Sequence, residues 1–376
     1  MSRDLIVGLD AGTSLIKFVA FTLDGKFIES ASVENKVYYR EGSKSEQNLN
    51  ETWGKVIESL NLLHQKIPNL KNRIVGLSIT GQGDGSWPID SQANPVGDAA
   101  LWLDGRSGDI IDQWRNSEVG PSVTKITHTG LNPSMQSGQM FHIAKFEKDR
   151  FEQIDKVLRC KDWIFHKMTG EILTEISEAI MTWGSPLTRK YDEEILRLLD
   201  LYSMKNKQPE IIDSTEHYGK LTSQAATLLN LNEGTPIILA PLDVVCSGIG
   251  SGFVDHSKKI GCTVLGTSGI HIFVDFLNSN VEPLKQLGYT MPLSGSKANA
   301  KMVSNMVASL NTDWFVDIYS SIYEKLGEKK FPKKEILKFF ESGASVSPQH
   351  LFFITHLFLL MEKEDLLLTL RQELNS

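Results

Sequence analysis

The sequence predicts an α/β protein of two similar lobes. Three observations carry this reading. Apolar runs of strand length alternate with segments of helical periodicity, the pattern of strands covered by helices. A strand–polar turn–strand unit occurs early, in "IVGLDAGTSLIKFVAF" from Ile6, and again late, in "GCTVLGTSGIHIFV" from Gly261, with Gly-Thr-Ser at both turns. The chain has 376 residues, enough for two separate cores.

Taken in order, residues 5–9 and 15–21 are rich in β-branched and aromatic types and read as strands. Asp24-Gly25 marks a hairpin turn, which makes residues 26–33 the third strand. Residues 51–65 place Trp53, Val56, Ile57 and Leu60 on one helical face, so Trp53 reads as core. Residues 74–80 form a buried-strand run that ends in "GQGDGSW". Residues 139–170 read as mostly helical and stop at Gly170; residues 222–229 suggest a further helix. Residues 236–240 are a short apolar strand, and residues 243–252 a helix loaded with small residues. Strand, turn and strand return over 259–275. This organisation assigns residues 1–247 to a first lobe, 248–349 to a partial second lobe and 350–376 to an atypical tail.

Composition narrows the function. The chain is 41% hydrophobic and 23% charged, with a net charge of −7. That balance argues against a nucleic-acid or acidic-membrane binder, which needs a basic face. The three cysteines, Cys160, Cys246 and Cys262, form no CxxC pair, so neither a disulfide framework nor a zinc site is expected. Reduced thiols and the lack of a signal-like segment point to the cytoplasm. Nothing approaches the ~20 apolar residues of a membrane span. Oligomeric state is left open, a homodimer among the options.

The first polar turn has a chemical reading. Gly12 lets the backbone turn tightly with its N–H groups converging, and Thr13 and Ser14 add hydroxyls, which together make an anion-binding concavity. Asp10 at the strand end would repel a phosphate unless a cation lay between, so it implies Mg²⁺; Lys17 adds a positive charge nearby. Neither a GxxxxGK[ST] nor a GxGxxG pattern is present. The competing reading is a hairpin whose polar side chains satisfy their own backbone. Gly266, Thr267 and Ser268 repeat the arrangement, and a matching turn in each lobe could grip a phosphate chain from both sides, as phosphoryl transfer requires.

From these segments the chain resembles the FGGY carbohydrate kinases, which have the actin-like, ribonuclease-H-like ATPase fold. The resemblance runs from about residue 4 to about residue 318. It rests on "GLDAGTSLIK", "ITGQGDGSWPID", "LWLDGR", "CKDWIFHKMTG", "APLDVVCSGIGSG", "GCTVLGTSGIH" and "SNMVASLNTDWFVD", in the family's order. The wording "QGDG" and "LDVVCS" pulls it toward the erythritol (polyol) kinases, with L-xylulose kinases next. The family's first signature is loosely kept: Lys145 matches, but the tryptophan usual soon after it is missing.

The resemblance implies ATP-dependent, in-line phosphorylation of a hydroxyl of a small polyol or ketose, erythritol-like first and xylulose or L-xylulose as the alternative, with ATP and Mg²⁺. It places the catalytic aspartate at Asp243, where an N-cap role is the alternative. It places the acceptor at two loops, one with Gln82, Asp84 and Trp87, the other with Trp102, Asp104 and Arg106. There amides and carboxylates would bind hydroxyls and aromatic faces would cover C–H surfaces. Against this, Trp102 could be core and Asp104–Arg106 a structural ion pair. Glu46 and Gln47 are weaker candidates for the rim, and His271 reads as structural.

The end of the chain departs from the family, whose members are usually longer. Nine leucines fall within residues 351–376, which hold no Gly or Pro. One choice of synonymous codons for Thr355 to Arg371, read two nucleotides out of frame, spells PFISPYGERGPFINPT. That string resembles the family's next segment. The expectation is a frame-shifted, incomplete second lobe, hence weak ATP binding and little turnover, leaving a remnant that binds sugar only as the competing reading.

Overall fold

The computed structural model describes residues 3–253, 261–265, 269–275 and 288–305, with 314, 316–318, 320–321, 334–335 and 338. The expected second turn at Gly266, Thr267 and Ser268 lies outside the described residues, as does the tail at 350–376. The chain divides into two compact units, Met1–Cys262 with His271–Val303, and Thr263–Ile270 with Ser304–Ser376. The division falls elsewhere than the expected boundary near residue 247, because the stretch from His271 to Val303 packs with the first unit.

The first unit is organised by a six-stranded sheet. Leu5–Ala11 (β1), Leu15–Thr22 (β2) and Phe27–Glu34 (β3) form an antiparallel meander. Ile74–Gly81 (β4) lies parallel to β1 on its other side. Gly219–Lys220 (β5) and Pro236–Leu239 (β6) complete the order β5-β6-β4-β1-β2-β3. Alternation sets the faces: Leu5, Val7, Leu9 and Ala11 are buried in β1, as are Ile16, Phe18 and Ala20 in β2. Asp10 therefore faces the other side, with Lys17 opposite it on β2.

Helices cover the sheet. Leu49–Lys66 (α1) packs on β2 and β3; the Asn48 side chain accepts from the Asn50 and Glu51 N–H groups and caps it. Cys160–Thr169 (α2) packs against β4 and β6 and ends at Gly170, whose φ of 79° is the left-handed stop glycine permits. Ile176–Trp183 (α3) follows α2, and Ser223–Leu229 (α4) starts at a Thr222 cap. Asp243–Gly250 (α5) follows β6. The stretch 139–170 is less helical than its sequence suggests. A strand, Lys156–Leu158, interrupts it and pairs with Trp87–Ile89, a contact no local pattern announces.

Gly261–Leu265 (β7) and Gly269–Asp275 (β8) are strands, as the sequence implies. Tyr289–Pro292 (β9) and Asn299–Asn305 (β10) pair antiparallel, with Tyr289 opposite Met302. β9 packs against α3. Among the described residues no helix is long and apolar enough to cross a membrane.

One consequence of the topology positions the site. β1, β4 and β6 run parallel, in register from Ala11 to Gly81 and from Leu239 to Ile79. Their carboxyl ends lie on one edge, where open α/β sheets carry their ligand sites. The Gly12–Ser14 turn, the Gln82–Gly85 loop and the start of α5 all leave from that edge.

Candidate active site

The β1–β2 corner is tied to the acceptor loops by its own hydroxyl. Thr13 Oγ1–H donates to Gln82 Oε1 at 2.9 Å and accepts from Trp102 Nε1–H at 2.9 Å. Gln47 Nε2–H donates to the Thr13 carbonyl at 2.8 Å, and Gln82 Nε2–H donates to Gln47 Oε1 at 2.8 Å. Thr13, Gln82, Trp102 and Gln47 thus form one network, so the Thr13 hydroxyl is a strut between loops rather than an unengaged phosphate donor. Ser14 and Lys17 are exposed and make no side-chain hydrogen bond or ion pair among the described residues. Asp10 is accessible, yet desolvation raises its pKa, against the pull of Lys17.

The "GQGDG" loop is folded tightly. A Cβ on Gly83 would meet Leu242 Cδ1 at 2.6 Å. Asp84 itself has φ 54°, a left-handed backbone uncommon outside glycine. It is held by a neighbour: the Asp84 N–H donates to Glu178 Oε1 at 3.1 Å. Asp84 Oδ2 accepts from Ser134 Oγ–H at 3.0 Å and Tyr289 O–H at 3.2 Å. Its Oδ1 is buried with no partner. Burial raises the Asp84 pKa, with the Ser134 hydroxyl and the Arg159 charge opposing.

Trp87 is fully buried in the main core. It supports the loop from beneath and presents no surface to a ligand. Asp104 and Arg106 form a buried ion pair at 2.7 Å. Both Asp104 oxygens are engaged, Oδ1 by the Arg106 N–H and Nε–H, Oδ2 by Arg106 Nη2–H and the Ser45 N–H. Arg106 Nη2–H also donates to Glu46 Oε1 at 2.6 Å. These two side chains brace the loop, as the ion-pair alternative holds. Arg106 Nη1 alone stays buried without a hydrogen-bond partner.

Asp243 is the first residue of α5, following Leu242 at the N-cap position, where no side chain caps the helix. Its Oδ1 accepts from the Val244 N–H at 2.6 Å. Burial, then the Asp10 charge, lifts its pKa to about 7. The first-turn position favours the anion, but desolvation and a like charge outweigh it.

Beneath lies a buried charged cluster. Lys161 Nζ stands 3.0 Å from Glu178 Oε2 and 3.1 Å from Asp162 Oδ1, all three with no exposed surface. Burial pushes the Glu178 carboxyl up, against Lys161 and Arg159. For Lys161 burial pulls down, and the charges of Asp162 and Glu178 overcome it.

The structure thus brings Asp10, Thr13, Gln82, Asp84, Trp102 and Asp243 to one sheet edge and leaves Trp87 in the core. Sequence reasoning missed Glu178, Lys161, Ser134 and Tyr289. Only "CKDWIFHKMTG" held a signal, a lysine and an aspartate on the face of a helix that must be buried.

Comparison with known proteins identifies the family. Residues 5–250 match the profile of the N-terminal domain of the FGGY family of carbohydrate kinases. An erythritol kinase of Brucella abortus (strain 2308) is 33% identical over 315 residues, 84% of this chain and 61% of that protein. A xylulose kinase of Staphylococcus xylosus is 26% identical over 271 residues, 72% of this chain and 55% of its own length. The chain therefore spans less than two thirds of the length of these curated relatives. Among solved structures, a xylulose kinase from Rhodospirillum rubrum superposes with a TM-score of 0.77 at 17% identity, covering 84% of this chain and 63% of that one. Plasmodium falciparum glycerol kinase with ADP gives a TM-score of 0.73 at 16% identity, covering 86% and 67%. Those likenesses show the actin-like, ribonuclease-H-like fold. With a sheet edge carrying the same loops that the sequence motifs mark, and a family match over most of the first unit, the chain belongs to the FGGY family of carbohydrate kinases.

Proposed function

We propose that the first unit is the acceptor-binding and base-carrying half of an ATP-dependent polyol kinase, with an erythritol-like substrate. The observation that carries the proposal is Asp243. It is a carboxylate at the head of a helix, on the edge where β1, β4 and β6 end, with a pKa of about 7. A general base works best with its pKa near the operating pH. Asp243 takes the proton of the attacking alcohol as that oxygen bonds to the γ-phosphorus; the bond to the β–γ bridging oxygen breaks and ADP departs with the electron pair. Asp84, through its unpartnered Oδ1, accepts a second polyol hydroxyl, and the Trp102 face, braced by Thr13, covers carbon. Gln82 holds the corner and offers its remaining amide hydrogen. Asp104 and Arg106 keep their loop in place. The Gly12–Ser14 backbone, the Ser14 hydroxyl and Lys17 meet the phosphates.

Magnesium fits the donor set. Asp10 and Asp243 are close enough for the Asp10 charge to raise the Asp243 pKa, a repulsion that a divalent cation relieves. Among the described residues no group of three or more His, Cys, Asp or Glu forms a ready cage. That suits an ion held by one or two carboxylates, with phosphate and water completing its shell. Asp10 would hold it, and when bound it would neutralise charge on the transferring phosphoryl group.

The test is titration calorimetry of the full chain with erythritol, xylitol, D-xylulose, L-xylulose and glycerol, paired with an ADP-release assay. Erythritol should bind most tightly, and Asp84→Asn should weaken it. Binding of none of the five overturns the proposal; binding without ADP release supports its acceptor part and removes the transfer step. The similarity to a relative named erythritol kinase supports the substrate class.

A further inference from the structure

Asp84 is asymmetric in its hydrogen bonding. One oxygen, Oδ2, takes hydroxyl donors from Ser134 at 3.0 Å and Tyr289 at 3.2 Å. The other, Oδ1, is buried with none, in a side chain of a residue only 7% exposed. An unpartnered buried acceptor is costly unless a ligand completes it. The Tyr289 hydroxyl is fixed in turn: Asn132 Nδ2–H donates to it at 2.6 Å, so its own proton is directed to Asp84. Ser134 Oγ is 3.1 Å from the Tyr289 oxygen and also reaches Asn132 Oδ1.

Tyr289 comes from β9, 205 residues beyond Asp84, and its strand is anchored on the same unit. The Thr290 N–H donates to Thr129 Oγ1 at 3.0 Å, Thr290 Oγ1–H to the His128 carbonyl at 2.7 Å, and Ser294 Oγ–H to Glu175 Oε1 at 2.7 Å. The hairpin therefore holds the tyrosine against a loop that already has a left-handed backbone at Asp84.

We propose that Tyr289 is a positioning residue for polyol selectivity. By saturating Asp84 Oδ2 it holds the carboxylate in one orientation, so that Oδ1 meets one hydroxyl of the acceptor. The proposal rests on the acceptor-site reading of Asp84 above. It predicts that a ligand must donate a hydrogen bond at that point, and that Tyr289 acts through Asp84 and not by contact of its own.

A double-mutant cycle on the full chain, with erythritol as the probe, tests it. Tyr289→Phe keeps the ring and removes the hydroxyl; Ser134→Ala serves as a second variant should the first fold poorly. Tyr289→Phe should raise the erythritol Kd about tenfold, equivalent to ~1.4 kcal/mol, with the unfolding temperature nearly unchanged. In the Asp84→Asn background the same change should have little further effect, because the two residues act as one unit. Wild type should prefer erythritol over 1,2,4-butanetriol, which lacks one hydroxyl, and Tyr289→Phe should narrow that preference. If Asp84→Asn weakens binding but neither Tyr289→Phe nor Ser134→Ala does, or if the effects simply add, the positioning role is wrong while the acceptor site stands. If wild type binds no polyol, the acceptor-site reading falls and takes this role with it.

Discussion

Burial and the Asp10 charge lift the Asp243 pKa from 3.8 to about 7, and this has opposite consequences for folding and for chemistry. A carboxyl whose folded pKa is raised is stabilising while protonated. Its contribution is fully present below the unfolded pKa of 3.8 and is lost as pH rises through about 7. Asp243→Asn removes that loss. The variant should unfold at a higher temperature than wild type at pH 8 and close to it at pH 4, read by calorimetry without ligands. Where the full chain releases ADP, the same variant should lose ~10²–10⁴-fold in rate, and wild-type rate should climb with pH through about 7. A wild-type profile flat from pH 6 to 8 would remove Asp243 as the base. At this scale the sequence was most legible where one residue type serves one purpose. Asp10, Asp84 and Asp243 were each singled out from the sequence, with a self-satisfied hairpin and an N-cap as the alternatives at Asp10 and Asp243, and all three lie at or just past the ends of β1, β4 and β6. It was least legible where a side chain has partners far along the chain. Thr13 looks like a phosphate ligand in "DAGTS", yet Gln82 and Trp102 claim its hydroxyl. Tyr289 shows no motif at all.

Elements carry the site through strand direction and helix burial. The apolar strand-length stretches separated by helical ones were readable in advance as an α/β alternation, and the structure adds that β1, β4 and β6 run parallel. The Lys156–Leu158 strand was not, since its three residues become a strand only by pairing with Trp87–Ile89. α2 shows what burial of charge does to an element. Its Lys161 has no exposed surface, and Asp162 and Glu178 satisfy it. Replacing such a pair with apolar groups can be neutral, but removing one partner strands the others. Lys161→Met should therefore destabilise the unit by about 3–5 kcal/mol. Because Glu178 also accepts the Asp84 N–H, the loss should reach the acceptor loop and weaken erythritol binding as well. A loss below ~1 kcal/mol in urea unfolding would show that the cluster relaxes or admits water. The double variant Lys161→Met, Glu178→Leu should recover part of the stability, which a simple packing defect at residue 161 would not do.

The side chains proposed to meet the acceptor, Gln82, Asp84, Trp102 and Asp243, and the Ser134 and Tyr289 hydroxyls that position Asp84, all belong to one compact unit. That has a thermodynamic consequence for the molecule as a whole. A ligand that binds only the folded form stabilises it by RT ln(1 + [L]/Kd), about 2.7 kcal/mol at a hundredfold excess over Kd. On the proposed acceptor site that coupling requires no nucleotide, since every side chain proposed to contact the polyol comes from the first unit. Erythritol alone should thus raise the unfolding transition of that unit by about 5 °C at such an excess. The shift should grow with the logarithm of concentration rather than level off, the mark of linkage as opposed to a solvent effect. A non-binding osmolyte such as sucrose at equal molarity supplies the comparison, because exclusion from the surface stabilises in proportion to concentration and does not depend on Asp84. Asp84→Asn should abolish the erythritol shift and leave the sucrose shift intact. Equal shifts for both solutes, unchanged by Asp84→Asn, would mean that the carboxylate left open at Oδ1 is not where a polyol binds, and the acceptor site would have to be sought elsewhere on the sheet edge.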